Sequence, residues 1–150
     1  MSEIANSLLT SEETIAKRIY RAKEKIKQEE IKLEPPGILD FPHHLDTVLH
    51  VLYLLFNEGY HSTHSNTQIR EDLCAEAMRL TYLLAQQQAT CLPKVNALMG
   101  LMCLQSSRFA ARSGELGENI LLENQDRSQW SMPLIEQGLG LLQKLRWETP

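Results

Sequence analysis

The sequence predicts an all-α protein, and three observations support this fold class. The run Leu45–Tyr60 is apolar around most of a helix circumference, and such a helix is buried in a core or a membrane. Other segments carry apolar residues at intervals of three and four, which is the period of an amphipathic helix. Clusters of Ser, Pro and Gly separate these segments and mark turns. We therefore expect a helical bundle wrapped around Leu45–Tyr60, which Gly59 ends in a left-handed turn.

Composition favours a cytoplasmic protein with one domain, or with a small domain and an arm. The chain has 150 residues, 43% of them hydrophobic, which is enough to build a core. Leu45–Tyr60 is shorter than the roughly 20 apolar residues that span a bilayer, and nothing resembles a signal peptide. The three cysteines are odd in number and lack metal-type spacing. They predict free thiols in a reducing compartment.

Charge is distributed unevenly along the chain. Residues 1–27 hold six Lys/Arg and four Glu, whereas residues 28–150 hold nine Lys/Arg and fifteen Asp/Glu. A net charge of −4 argues against a protein that coats nucleic acid along its whole length. The asymmetry instead predicts a basic arm on an acidic body.

The arm is predicted to contain two helices joined by a tight turn. The first covers Ser2–Leu9, and Ser11 is a good N-cap for a second helix from Glu12 to about Gln28. Glu12 and Glu13 fall in its first turn, where the helix dipole favours acids. The second helix carries an apolar stripe on one side and a mainly basic face on the other: Ile15, Ile19, Ala22 and Ile26 against Thr14, Lys17, Arg18, Arg21 and Lys25.

A short helix, a turn and a basic helix together are typical of a helix-turn-helix, whose second helix enters the major groove of DNA. We expect Thr14, Lys17, Arg18 and Arg21 to face DNA, with an arginine on a base and Lys17 on a phosphate. A solvated surface remains the alternative for this face. An apolar stripe left uncovered tends to find a partner, so we also expect it to pack on the body or on a second copy in a homodimer.

The arm resembles the end of region 4 of bacterial extracytoplasmic-function sigma factors. That family has an E-I-A near the start of one helix, then a turn and a T-[VI]-x-x-R-[LI]-x-R-A-[RK] recognition helix. Glu3–Ala5 and Thr14–Lys23 stand at the matching places. The promoter-melting region and the first helices of region 4 have no counterpart in this chain. The resemblance implies contact with the −35 promoter element, and RNA polymerase core and promoter DNA as partners of a longer protein.

Residues 34–41 are predicted to form a linker, because Pro35-Pro36-Gly37 disfavours helix. Pro42 is tolerated in the first turn of the next helix. Further helices are expected at about 68–87, 94–111 and 131–145, the last with a buried stripe of Leu134, Ile135, Leu139, Leu142 and Leu145. Residues 119–130 are expected to be irregular. Two degenerate tetratricopeptide-like pairs follow from these bounds: 42–57 with 68–87, and 94–111 with 131–145. In the middle of 94–111, Gly100 indicates close approach of another helix.

The body also resembles a family feature, the long helical C-terminal extension of one subgroup of these sigma factors. The matching stretches lie in order and with similar spacing: Leu45–Tyr60, Arg70–Leu80, Ala97–Arg112 and Leu121–Trp130. In such proteins the extension is thought to replace a separate anti-sigma factor. The resemblance therefore implies a regulatory domain that receives a regulatory protein or a ligand.

Two groups of polar residues are candidates for a pocket or partner site on the extension. The first lies at the end of the central helix and the second in the irregular segment: Asn57, Glu58 and Tyr60, and Asp126 and Arg127. The structural alternatives are a helix C-cap in which Glu58 bonds a neighbouring backbone group or an arginine, and a network of Arg108, Arg112, Asp126 and Arg127 that ties the segment to the bundle. Trp130 is expected to anchor that segment in the core.

Catalytic, metal-binding and cofactor-binding roles are not expected. His61 and His64 are spaced like one half of a zinc site, but no second pair is spaced that way. Asp46 and His50 are suited to acid–base chemistry, yet an internal hydrogen-bonded pair explains them more simply.

We accordingly interpret residues 1–33 as a partial helix-turn-helix arm and residues 42–150 as a helical extension. The function predicted is −35 promoter recognition with a regulatory extension. Two alternatives stay open: an interaction scaffold that touches no DNA, and a small metal-dependent hydrolase built on the histidines.

Overall fold

A computed structural model describes residues 1–32, 41–61, 69–114 and 118–146. Within these ranges all regular elements are helical, which confirms the all-α fold class. Most of the predicted linker, residues 34–40, lies outside them. The described elements are α1 (Ser2–Ser7), α2 (Glu12–Gln28), α3 (Phe41–Tyr60), α4 (Glu71–Gln86), α5 (Pro93–Ser106), α6 (Phe109–Arg112) and α7 (Met132–Arg146), with short 3₁₀ helices at Leu122–Asn124 and Arg127–Gln129.

The turn between α1 and α2 is built as the sequence predicts, except that α1 ends earlier, at Ser7. The Ser11 hydroxyl accepts a hydrogen bond from the Thr14 N–H at 3.2 Å, which satisfies one free donor of the first turn of α2. Leu9 bends the chain between the helices with a φ of 49°, a left-handed conformation uncommon for a residue with a Cβ. The side chain of Leu9 is 95% exposed.

Two antiparallel helix pairs form the body. Helix α3 packs mainly on α4, and α5 packs mainly on α7, so the predicted pairing of these helices is confirmed. Contacts of α5 with α4 and α3 join the pairs. The cores between them are lined by buried side chains from three helices: Leu45, Leu49, Leu52, Phe56 and Tyr60 of α3, Cys74 and Ala77 of α4, and Val95 and Met102 of α5.

Two glycines allow helices to approach closely. A Cβ on Gly100 would lie 3.1 Å from Leu142 Cγ, and one on Gly138 would lie 2.9 Å from Leu104 Cγ and 3.1 Å from the Gly100 carbonyl oxygen. The prediction that Gly100 permits close helix approach is confirmed, with Gly138 as its counterpart on α7.

Gly59 has a different role from the one predicted. Helix α3 continues through Tyr60, so Gly59 does not end it. A Cβ there would lie 2.8 Å from both the Arg70 carbonyl oxygen and Cys74 Sγ. The Arg70 N–H donates to the Gly59 carbonyl at 2.9 Å. Gly59 therefore lets the start of α4 rest directly on the backbone of α3.

Three further expectations about packing were wrong. Helix α3 is not wrapped on all sides, because Val51 is 56% exposed. The helix predicted over 94–111 breaks after Ser106, where the Ser107 hydroxyl donates to the Leu104 carbonyl and the Ser107 carbonyl accepts from the Ser131 N–H. These bonds turn the chain towards α7. On α7, Leu139 is 47% exposed, and Gly138 is buried.

No helix among the described residues combines the length and apolar character needed to cross a membrane.

Candidate functional site

The face of α2 predicted to meet DNA is largely open to solvent. Lys17, Arg18 and Arg21 are exposed, and Thr14 is half-buried. The Lys17 ammonium lies 2.6 Å from the Glu13 carboxylate, in an exposed i,i+4 ion pair. Within the part of the chain that the structure describes, neither Arg18 nor Arg21 forms an ion pair with a carboxylate. The two arginines therefore present their charge outward from a capped helix.

The apolar stripe on the other side of α2 is only partly covered. Ile15 is 3% exposed and Ala5 of α1 is 2% exposed. Both side chains are therefore buried where α1 and α2 pack together. Ile19 and Ile26 are half-buried, and Ala22 is exposed. Packing of the stripe on its own chain thus begins at Ile15 and is incomplete beyond it.

Helix α1 docks the arm on the C-terminal half of α3. The Asn6 amide donates to the buried Glu58 carboxylate at 3.4 Å, and the Ser7 hydroxyl donates to the Leu54 carbonyl at 3.4 Å. Arg70, just before α4, lies 3.8 Å from the Glu3 carboxylate. Among the described residues, the hydrogen bond to Glu58 thus comes from the side chain of Asn6 in the arm, and not from the backbone group or arginine that the sequence predicts.

An apolar groove of about 340 Å³ remains between α1 and α3. Five apolar and four polar residues of the two helices line it: Ile4, Leu8, Val51, Leu54 and Leu55, with Glu3, Ser7, His50 and Glu58.

Tyr60, at the end of α3, is surrounded by arginines. The Arg112 guanidinium carbon lies 3.7 Å from the centroid of the Tyr60 ring, and Arg112 Nη1 donates to the Tyr60 carbonyl at 2.8 Å. Arg108 Nη2 donates to the Tyr60 hydroxyl at 2.9 Å and also to Gln105 Oε1. Because a helix C-terminus carries partial negative charge, these cations stabilise the end of α3.

Aromatic rings also pack around Tyr60. We call the cluster of Tyr60, His61, Arg108 and Arg112 the junction at Tyr60. The Tyr60 ring packs on Phe56 and Phe109 with centroids 6.0 Å apart, and it meets the His61 ring edge-on at 4.8 Å. Arg112 Nη2 lies 3.4 Å from His61 Nδ1. Burial and the positive charge of Arg112 lower the pKa of His61 below its ordinary value, because both disfavour the imidazolium form. The imidazole is therefore neutral near pH 7.

Asp126 and Arg127 do not join this junction. The Asp126 carboxylate accepts from the Ser128 N–H at 2.9 Å and the Ser128 hydroxyl at 2.7 Å, and these bonds lower the pKa of Asp126. Arg127 lies over the Trp130 ring at 5.6 Å. The expected network of four charged residues was therefore wrong, since Arg108 and Arg112 converge on Tyr60.

Backbone hydrogen bonds secure the irregular segment instead. The Ile120 N–H donates to the Arg112 carbonyl and the Ser131 N–H to the Ser107 carbonyl, both at 2.8 Å. Trp130 is half-buried rather than fully enclosed. The segment is thus fixed at both ends by main-chain contacts that a sequence pattern does not reveal.

The residues considered for metal and acid–base chemistry are not brought together. Asp46 is exposed and accepts from the Lys94 ammonium at 2.6 Å, and His50 is exposed on the same helix. The expected internal pair of Asp46 and His50 was therefore wrong. Groups of three or more His, Cys, Asp or Glu side chains able to hold a metal are absent from the described residues, whereas His64 and the side chain of His43 lie outside them.

Sequence reasoning missed the arginines at Tyr60 and the role of Arg70 at the arm. The available signal was the i,i+4 spacing of Arg108 and Arg112, which places both on one side of a helical segment. Their target, Tyr60, lies 48 and 52 residues away along the chain, and no local pattern indicates a contact of that range.

Comparison with known proteins places most of the chain in one family. Residues 44–146 match a family of unknown function (DUF6596). An uncharacterized protein of Rhizobium meliloti (strain 1021) is 38% identical over 142 residues, which are 95% of this chain and 33% of that relative. The chain thus spans about a third of the length of the relative it matches. No solved structure matches it.

Proposed function

The chain belongs to the DUF6596 family, and from this premise we propose that it is the C-terminal part of an extracytoplasmic-function sigma factor. In this proposal α1 and α2 recognise the −35 promoter element, and α3–α7 form a regulatory extension. RNA polymerase core and promoter DNA are the partners of the longer protein. Catalysis is not part of the proposed activity.

One observation carries this proposal: α2 presents Arg18 and Arg21 without carboxylate partners in the described chain, on a helix that follows a tight turn. Thr14 and Lys17 lie on the same side, because spacings of three and four return to one face of a helix. An arginine fork can bond the O6 and N7 atoms of guanine in the major groove, and lysine suits a phosphate as a point charge.

The relative from Rhizobium meliloti supports the proposal by its size. It is about three times as long as the part that matches this chain. A protein of that length has room for the promoter-melting region and the first helices of region 4, which a complete sigma factor requires.

The docking of α1 supports a regulatory role for the extension. Asn6 and Ser7 bond to α3, and Glu3 faces Arg70, so the arm rests on the body through several polar contacts. A partner or ligand that shifts the end of α3 would thereby change the position of the helix that meets DNA.

Promoter binding by the longer protein tests whether the face of α2 with Thr14, Lys17, Arg18 and Arg21 contacts DNA. Alanine at Lys17, Arg18 or Arg21 should weaken binding, and a lost phosphate contact should reduce the salt slope by about one. A lost base contact should instead relax preference at one base pair by about 1–3 kcal/mol.

Lys27→Ala is the matched control, since it removes the same charge from a position on α2 outside the Thr14–Lys23 stretch that resembles the recognition helix. Equal weakening by the control and by the other variants would mean that charge alone matters and that α2 does not read DNA.

An interaction scaffold without DNA binding is the second candidate, and the apolar groove between α1 and α3 favours it. Exposed Ile4, Leu8 and Val51 offer a surface that an apolar helix of another protein would cover. Normal promoter binding by all the Lys17, Arg18 and Arg21 variants would make this the preferred function.

A further inference from the structure

The arginine pair at Tyr60 has the chemistry of an anion site. Arg108 and Arg112 are half-buried, and the ion pairs among the described residues all involve other cations. Withdrawing a charge from water costs free energy unless a counter-charge replaces the lost hydration. Two such guanidinium groups side by side therefore favour an anion between or beside them.

The guanidinium groups are held in fixed positions before any ligand arrives. The Arg112 guanidinium lies over the Tyr60 ring and bonds the Tyr60 carbonyl, and Arg108 bonds the Tyr60 hydroxyl. Each guanidinium has five N–H donors, and these contacts use the Nη2 atom of Arg108 and the two Nη atoms of Arg112. Within the described residues, the Nε–H groups of both arginines and the Nη1 atom of Arg108 form no further hydrogen bond, so they can serve a ligand.

His61 adds a third group to the same place. Its ring nitrogen lies 3.4 Å from Arg112 Nη2. The imidazole is neutral there, so it offers an N–H donor without adding a third positive charge to the cluster. The surrounding body is acidic, with nine Lys/Arg against fifteen Asp/Glu over residues 28–150, so a bound anion would depend on this local arrangement and not on the overall field.

We propose that Arg108, Arg112 and His61 form a binding site for a small oxyanion, the phosphate or carboxylate group of a low-molecular-weight ligand. Arginine forks suit both groups because each offers paired oxygens at the spacing of the guanidinium N–H bonds. The site lies at the end of α3, two residues beyond Glu58, which holds Asn6 of the arm. The proposal concerns ligand binding by the 150-residue chain and does not depend on DNA recognition.

Titration with inorganic phosphate and with acetate tests the site, in the 150-residue chain and at constant ionic strength set with sodium chloride. The readouts are the melting temperature and the NMR signals of the His61 ring. We expect saturable shifts of both, since a ligand that binds only the folded state raises its stability. Saturation with phosphate alone identifies a phosphoryl ligand, and saturation with both anions identifies a general oxyanion site.

Variants separate this site from adventitious binding. Arg108→Ala should weaken anion binding about tenfold or more, as the loss of a charge-assisted hydrogen bond does. Arg79→Ala removes the same charge from an exposed arginine paired with Glu76 and should leave binding unchanged.

If Arg108→Ala does not fold, Tyr60→Phe tests the anion site in its place, because it removes only the hydroxyl that positions Arg108. It should weaken binding several-fold while the protein keeps its helical spectrum. Non-saturating shifts, or equal losses in Arg79→Ala and the junction variants, would overturn the proposal.

Discussion

The contact between α5 and α7 allows a quantitative test with two alanine substitutions on one helix. Gly138 and Gly140 both lie inside α7 (Met132–Arg146). A Cβ on Gly138 would lie 2.9 Å from Leu104 Cγ and 3.1 Å from the Gly100 carbonyl, whereas one on Gly140 would meet nothing within 4 Å. Replacing glycine with alanine inside a helix gains about 1 kcal/mol of helix propensity at either position.

The difference in unfolding free energy between the two variants measures the cost of adding a methyl group where α5 and α7 are in close contact. At Gly138 the new methyl group meets a branched carbon and a backbone oxygen that cannot move aside, and overpacking of this kind costs about 1–3 kcal/mol. Gly140→Ala should therefore raise the free energy of unfolding by about 1 kcal/mol, and Gly138→Ala should fall about 1–3 kcal/mol below it.

Thermal and denaturant unfolding of the two variants would measure this difference. In a chain of this size 1 kcal/mol corresponds to about 2–4 °C in melting temperature. Equal changes in the two variants would refute the close packing of α5 on α7.

Three further predictions concern the core, the arm and the cysteines. Leu52→Ala should cost about 2–5 kcal/mol in denaturant unfolding, because Leu52 is 5% exposed within the core; a cost below about 1 kcal/mol would contradict that placement. Ser11→Ala should remove the N-cap of α2 and cost about 0.5–2 kcal/mol, seen as lower amide protection in its first turn; unchanged exchange would argue against the cap. A thiol-labelling time course at pH 8 should modify exposed Cys91 quickly and Cys74 slowly, because burial raises the pKa of Cys74 to about 12 and the thiolate is the reactive form; fast labelling of Cys74 in the folded protein would contradict its burial.

Local signals predicted most of the helix bounds. Ser11 caps α2 where the sequence places an N-cap, and Pro93 begins α5 one residue before the predicted start at residue 94. Both act on neighbouring backbone groups, so their effect is readable from a few residues. The pairing of α3 with α4 and of α5 with α7 was also predicted, because paired antiparallel helices of this length resemble tetratricopeptide-like repeats.

Features set by distant contacts could not be predicted in this way. The sequence around Gly59 is typical of a helix end. The structure shows instead that glycine is needed there because the start of α4 packs directly on the backbone of α3. Leu139 fits the apolar period of α7, yet the small Gly138 faces α5 and Leu139 is exposed.

The candidate functional residues also include one group that the sequence predicts and one group that it does not. The face of α2 with Thr14, Lys17, Arg18 and Arg21 follows from helical spacing alone. The junction at Tyr60 depends on contacts across about 50 residues of sequence, so Arg108 and Arg112 were assigned to the wrong partners.

Reconstituted transcription tests the proposed function most directly. The longer protein would be combined with RNA polymerase core on a promoter that it serves, and transcripts would be compared for Arg21→Ala and Lys27→Ala. Both variants remove one positive charge from α2, but only Arg21 lies on the face proposed to meet the −35 element. We expect Arg21→Ala to reduce the transcript yield about tenfold, as the loss of one specific base contact would, and Lys27→Ala to leave the yield unchanged. Equal yields from the two variants would contradict the proposed function.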